Sequence, residues 1–399
     1  MPPLAGLKVL ELARVLAGPW AGQLLADLGA EVIKVESLTG DDTRRWGPPS
    51  VENPDGTRDA AYFHACNRGK QSIALDFSKP EGREIVARLA AQSDVLIENF
   101  KVGGLKKYRL DHDVLKVRSP RLIYCSITGF GQDGPDAPRP GYDFMIQAIG
   151  GIMDVTGSRD GPPQKIGVAF VDLFTGVYAV VAIQAALAWL EKTGEGQHID
   201  LSLLDTMTSV LSYQALNYLV SGESPTRMGN AHPNIVPYQE FATSDGHLIV
   251  AVGNDTQFRR LCEVIGAVEL AEDPRHATNE MRVINRKSLI PKLAESIRVF
   301  RRDELLGLLE RAGVPAGPIN NVAQVFAEPQ VIHRGMRIDL PAGDGRMVPS
   351  VRSPILMTGS PLAYDRASPR LGEHTDAVLE WLGYTEADMA RLRAAHIVG

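Results

Sequence analysis

Residues 7–128 alternate two textures, and that alternation limits the fold more than any other feature of the chain. Runs rich in aliphatic and β-branched side chains at 7–12, 31–35, 72–77, 94–100 and 121–128 predict strands. Between them, residues 18–29 place Leu24, Leu25 and Leu28 on one helical face. Residues 80–91 predict a second helix, opened by Lys79-Pro80-Glu81 with proline in the first turn. Strands and helices taking turns predict an α/β fold with a parallel sheet, because parallel neighbours need a long crossover and a helix usually supplies it.

Farther along, residues 169–191 predict one long helix, 197–201 a strand and 203–220 a second long helix. The texture then changes: SGESPTRMGNAHPNIVP, residues 221–237, is rich in Gly, Pro, Asn and Ser and reads as a loop or a domain boundary. Residues 238–252 predict a hairpin turning at Ser244-Asp245-Gly246. Residues 254–324 predict short amphipathic helices, and the chain closes on mixed structure with a helical tail.

Composition narrows the partners. The 399 residues are 44% hydrophobic and 23% charged, an ordinary globular balance. A formal net charge of −6 argues against nucleic acid as a partner. The three cysteines, Cys66, Cys125 and Cys262, are far apart, with no CxxC or Cys/His metal spacing. That predicts no metal site and a reduced, cytoplasmic protein. The first residues, MPPLAGLKVLEL, show no secretory pattern. The apolar stretch 177–190 is interrupted by Gln184 and reads as too short to span a membrane.

A dinucleotide site is the first functional reading to weigh. Strand, loop, helix and a second strand ending at Glu36 imitate a nucleotide-binding unit with its ribose-binding acid. The loop, ARVLAGPW, carries a single glycine, so the tight turn and close pyrophosphate approach of GxGxxG are missing. Glu36 is then expected to be a strand-end surface acid. Asp172, between Val171 and Leu173 ahead of a long apolar helix, is costly to bury without partners. By pattern alone it reads as a helix N-cap or as a reactive carboxylate.

LARVLAGPWAGQLLADLGAEVIKVE, DVLIENF, YCSITGFGQDGP, GVAFVDLFTG, GNAHPNIVPYQEF and LGEHTDAVL occur in this order along the chain. Together they resemble the family III CoA-transferases, the family of formyl-CoA transferase and the carnitine CoA-transferases. GNAHPNIVPYQ and GPINNVAQVFAEPQVIH are most similar to the succinyl-CoA-dependent dicarboxylate transferases, of which the succinate–hydroxymethylglutarate type is an example. The resemblance implies a Rossmann-like large domain built from both chain ends, residues 1–220 and 326–399. A smaller α+β domain, residues 221–325, carries an active-site loop, and two ring-like chains interlock as a homodimer. It also implies that no cofactor is permanently bound, the coenzyme A thioester being a substrate alongside a small carboxylic acid.

The resemblance places the family's nucleophilic aspartate on Asp172. It implies that a carboxylate there attacks the acyl-CoA thioester to give a mixed anhydride and then an aspartyl-CoA thioester. Gly229 and Asn230, in the MGNAHPN loop, would shield the anhydride through backbone N–H groups, and His232 would help bind a carboxylate. The positions that match CoA contacts are Leu16 and Ala17; Leu75, Asp76, Phe77 and Ser78; Asn99, Phe100 and Lys101; and Lys107, Arg139 and Tyr142. Ser37 and Pro140 depart from the formyl-CoA transferase pattern, which has arginine and lysine there, so adenosine packing is left open. Arg44, with Arg45 and Arg68 as alternatives, is the candidate anchor for a distal carboxylate, since an arginine fork suits that geometry. The nearest rival, an α-methylacyl-CoA racemase, would need a histidine where this chain has Tyr142. A non-catalytic CoA-binding protein is a further alternative.

Overall fold

The computed structural model describes residues 1–399. Its largest sheet has six strands: β1 (Lys8–Glu11), β2 (Glu31–Glu36), β3 (Gln71–Ala74), β4 (Val95–Glu98), β5 (Ile123–Thr128) and β6 (His198–Ser202). Their spatial order is β3-β2-β1-β4-β5-β6, and every neighbouring pair is parallel. All residues of β4 and β5 are buried, as expected of central strands covered on both faces. The order reverses between β1 and β4, and in an open sheet of this kind a ligand crevice forms outside the carboxyl ends of the strands at that point.

Helices α1 (Ala17–Asp27) and α2 (Pro80–Ala91) cover the sheet, α2 through Ile85, Val86, Leu89 and Ala90. Both chain ends build this core. Val378, Leu379 and Leu392, from the helices Thr375–Trp381 and Glu386–Ala394, pack with Leu10, Ile73 and Leu96. Backbone contacts divide the chain into two compact units. The first comprises residues 1–151, 166–215 and 332–399, and the second 152–165 and 216–331. The sequence had suggested borders at 220 and 325.

Helix α3 (Asp143–Ile149) is followed by α4 (Phe170–Thr193), close to the predicted 169–191. By length and composition α4 would suffice to cross a membrane, whereas the sequence reading had taken only its central apolar stretch and judged that too short. It buries a stripe of Val171, Thr175, Ala179, Ile183, Ala186 and Leu190, and it packs along α1. Its other side leaves Val177, Val181 and Trp189 exposed. The helix predicted for 203–220 is two helices, α5 (Leu203–Val210) and α6 (Tyr213–Ser221), broken where Ser212 adopts a φ of 51°. A non-glycine residue at positive φ cannot continue a right-handed helix.

In the second unit, β7 (Tyr238–Ala242) and β8 (His247–Ala251) form the predicted hairpin, extended by β9 (Ala316–Pro318) into an antiparallel sheet. Phe241, Leu248 and Val250 pack against Leu289, Leu293 and Ile297 of α7 (Arg286–Arg298).

Candidate active site

Two loops meet at the carboxyl ends of β1 and β4. Asn99, just after β4, accepts from the Arg14 N–H (2.9 Å) and donates to the Arg14 carbonyl (2.7 Å), so one side chain ties the loops together. Val15 is held at a φ of 68°, an outlier for a β-branched residue, and its N–H points at the Asp41 carboxylate (3.2 Å). Lys34 supports the loop from below, donating to the Ala13 carbonyl at 2.8 Å and pairing with Asp41 at 3.0 Å. On the β4 side the Phe100 N–H donates to Glu98 (2.8 Å), and burial pushes the Glu98 carboxyl up to about 7.

These loops wall a cleft of about 470 Å³. Ten predicted residues line it: Leu16 and Ala17; Phe77; Asn99, Phe100 and Lys101; Lys107, Arg139 and Tyr142; and Asp172. Phe77 stacks edge-on with Phe100 and Tyr108, at 5.9 and 5.2 Å between ring centroids. Arg139 pairs with Asp136 (2.9 Å) and lies over the Phe130 ring, half exposed. Leu75, Asp76 and Ser78 lie outside this lining. Leu75 is a core residue, 1% exposed, and pairs with Val398. Asp76 accepts from the Ser78 N–H (2.9 Å) in the turn before α2, leaving Ser78 at the surface.

Asp172 sits in the first turn of α4, where the cap position belongs to Ala169. The capping is done by a different acid. One oxygen of Asp143, the first residue of α3, accepts from the N–H groups of Val171 (2.8 Å) and Asp172 (3.2 Å). Its other oxygen accepts from Gln147 (2.6 Å). A helix start favours a carboxylate there, and Asp143 meets that demand. Asp172 is therefore released from capping and faces the cleft. Burial pushes its carboxyl up to about 7, with the neighbouring Asp143 charge adding to the rise. Tyr62, raised to about 12 by burial and then by the Asp172 and Asp143 charges, stands nearby and packs edge-on against Trp46 at 5.3 Å. A part-buried carboxylate beside a cleft, with no partner claiming it, has the character of a nucleophile.

A family model described as CoA-transferase family III matches residues 4–375. The chain belongs to that family. It is 56% identical to the succinate–glutarate CoA-transferase of Agrobacterium fabrum, with 95% of each chain covered. It is 43% identical to the human succinyl-CoA:glutarate CoA-transferase, over 99% of this chain and 90% of that one. A crystal structure of a CAIB/BAIF family protein from Brucella suis superposes with a TM-score of 0.85 at 60% identity, covering 95% of this chain and 99% of the other.

Within this CoA-transferase, several expectations need correction. Arg44, the candidate anchor for a distal carboxylate, is turned inward and 5% exposed. It forks onto Glu36 (2.7 and 2.8 Å), pairs with Asp59 (3.0 Å), donates to the Pro369 carbonyl (3.1 Å) and stacks on Phe63. Glu36, expected at the surface, is 3% exposed and also accepts from Ser72 (2.6 Å). Arg68 forks onto Asp27 (2.6 and 2.8 Å), and Arg45 pairs with Asp42 at the surface. These arginines already have carboxylate partners inside the fold.

The 228–234 loop belongs to the second unit. Gly229 has a φ of 63°, which glycine adopts without steric cost, and its N–H donates to the Gly157 carbonyl (2.9 Å). That donor is therefore already engaged in this conformation. The Asn230 side chain donates to Glu240 (2.6 Å). His232 accepts from the Asn234 N–H (3.0 Å), and burial together with nearby Arg286 holds its ring below the ordinary histidine range. The sequence reading missed Asp143, Glu98, Tyr62 and Trp46. Asp143 left one signal, an acid opening a helix directly after Tyr142, but its reach across 28 residues to Val171 is a tertiary fact.

Proposed function

We propose that this enzyme moves CoA from succinyl-CoA to a short dicarboxylate, with Asp172 as the covalent carrier. Asp172 attacks the thioester carbonyl, expelling the CoA thiolate and forming a mixed anhydride. The thiolate then attacks the aspartyl carbonyl, succinate leaves, and an aspartyl-CoA thioester remains. The acceptor carboxylate attacks that thioester, and the same steps run in reverse. One observation carries the reading: Asp143 caps α4, so Asp172, the third residue of that helix, is left reactive at the cleft. The activities printed for the relatives from Agrobacterium and human support succinyl-CoA and a dicarboxylate as the substrate pair.

In this reading the cleft takes the CoA arm, with Lys101, Lys107 and Arg139 offering positive charge to phosphates. Incubation with labelled succinate and succinyl-CoA is expected to put label into the thioester only when active enzyme is present. In the same assay Lys107→Met should raise the KM for succinyl-CoA about tenfold with little change in kcat, the size of one lost charge-assisted contact. Deuterium uptake at the α-carbon of a methyl-branched acyl-CoA, without acyl exchange, would instead identify a racemase.

A second copy of this chain is proposed to cover the exposed apolar surface. Along α4, Val177 is 45% exposed, Val181 59% and Trp189 52%, an apolar stripe of the kind that an oligomer contact covers. Light scattering should give the mass of a dimer, and a monomer at micromolar concentration would contradict it.

A further inference from the structure

Glu98 ends β4 one residue before the cleft begins, and it is 5% exposed. It does not line the cleft, and no step of the CoA transfer uses it. A buried carboxylate needs polar partners. The Phe100 N–H donates to it at 2.8 Å, across a two-residue turn. On the neighbouring strand β5, Ser126 is its register partner, is 2% exposed and opposes the effect of burial on the carboxyl. The Ser126 hydroxyl lies 2.9 Å from Nε2 of His198 on β6. Polar groups from two strands thus back the carboxylate, and its one backbone donor comes from the cleft segment.

That segment carries three lining residues in a row, Asn99, Phe100 and Lys101. The Phe100 amide stands in the middle of them. Farther on, the Gly104 N–H donates to the Lys101 carbonyl at 2.7 Å and closes the turn. Glu98 therefore fixes the turn at its start and Gly104 at its end. Asn99 then reaches the Arg14 backbone, the Phe100 ring packs edge-on to Phe77, and Lys101 lies exposed at the rim. A bond to a charged acceptor is the stronger kind, and a part-buried N–H that loses its acceptor is costly. A turn set in advance also lowers the ordering cost of binding. We propose that Glu98 is a positioning residue for the CoA thioester: its carboxylate holds the Phe100 amide, so that Asn99, Phe100 and Lys101 are set before the ligand arrives. This rests on the reading that the cleft takes the CoA arm.

Glu98→Met keeps the bulk of the side chain and removes the acceptor. Its KM for succinyl-CoA should rise about tenfold, with kcat within about threefold of wild type. Glu98→Gln retains an oxygen for the Phe100 N–H and should bring KM back to within about twofold of wild type. An active Glu98→Met enzyme with an unchanged KM would overturn the proposal, as would a glutamine variant impaired as much as the methionine one. Lys107→Met in the same assay separates this proposal from the reading it rests on. If Lys107→Met raises KM and Glu98→Met does not, Glu98 alone loses its role. If neither raises it, the CoA arm lies outside this cleft and the proposal falls with that reading. Hydrogen exchange on the wild-type protein decides the case in which Glu98→Met does not fold. The Phe100 amide should exchange slowly before CoA is added, and protection that arises only with CoA bound would overturn the proposal.

Discussion

Asp172→Ala is expected to lower CoA transfer by at least about a thousandfold, the scale on which removal of a covalent nucleophile acts. Hydroxylamine added during turnover should trap the wild-type residue as a hydroxamate, and mass spectrometry should find no such adduct in the variant. An active alanine variant would exclude the aspartyl intermediate. The reaction should also depend on pH in a defined direction. The attacking species is the carboxylate, and burial with Asp143 raises the folded carboxyl from 3.8 to about 7. The first-step rate should therefore climb from pH 6 to 8 and level off above. Stability moves the opposite way. Between about pH 4 and 7 the folded state keeps a proton that the unfolded chain releases, so stability falls as pH rises through that window and stays reduced beyond it. Asp172→Asn should relieve this cost, stabilising the protein by about 4 kcal/mol at pH 8 and scarcely at pH 4. Equal effects at both pH values would contradict the raised carboxyl.

Glu11→Ala should cost about 5 kcal/mol of stability, measured as a fall in the denaturation midpoint, through a group that touches no substrate. Glu11, Lys34 and Lys70 are all fully buried. Glu11 pairs with Lys34 at 3.0 Å and with Lys70 at 2.8 Å. Burial pulls Lys34 down, but Glu11, Asp41 and Glu36 outweigh it and hold the ammonium above its ordinary range. Burial dominates at Lys70, which lies below the ordinary range despite Glu11. The two lysines differ because Lys34 has several acids around it and Lys70 chiefly one. Removing Glu11 would leave Lys70 with only the Asn67 side chain (2.9 Å) and the Pro19 carbonyl (2.8 Å). Gly22 enforces the geometry, since a β-carbon there would stand 1.9 Å from a Glu11 oxygen. Because Lys34 also bonds Ala13 and Asp41, and Asp41 accepts from Val15, the loss should reach the cleft loop. A shift of the midpoint worth under 1 kcal/mol would show the cluster to be dispensable.

The periodicity of the first 130 residues was enough to specify a parallel α/β sheet, because each crossover needs its own apolar pattern and those patterns are local. Family motifs were enough to single out Asp172 and nine other residues that line the cleft. Charged partners were not legible. Glu11 and Lys34 sit in strands that read as buried, and Glu36 read as a surface acid, yet each is satisfied by side chains from distant segments. Arg44 looked available for a substrate because its partners Glu36 and Asp59 lie 8 and 15 residues away and Pro369 lies 325 residues away. The decisive case is the turn around Asp172. The sequence by itself determined that an acid opens the long helix, through the motif and the apolar run that follows. Only the tertiary structure decided which acid caps that helix. Asp143 folds back onto the N–H groups of Val171 and Asp172, and a helix start that already has its acceptor does not need the Asp172 carboxylate as a cap.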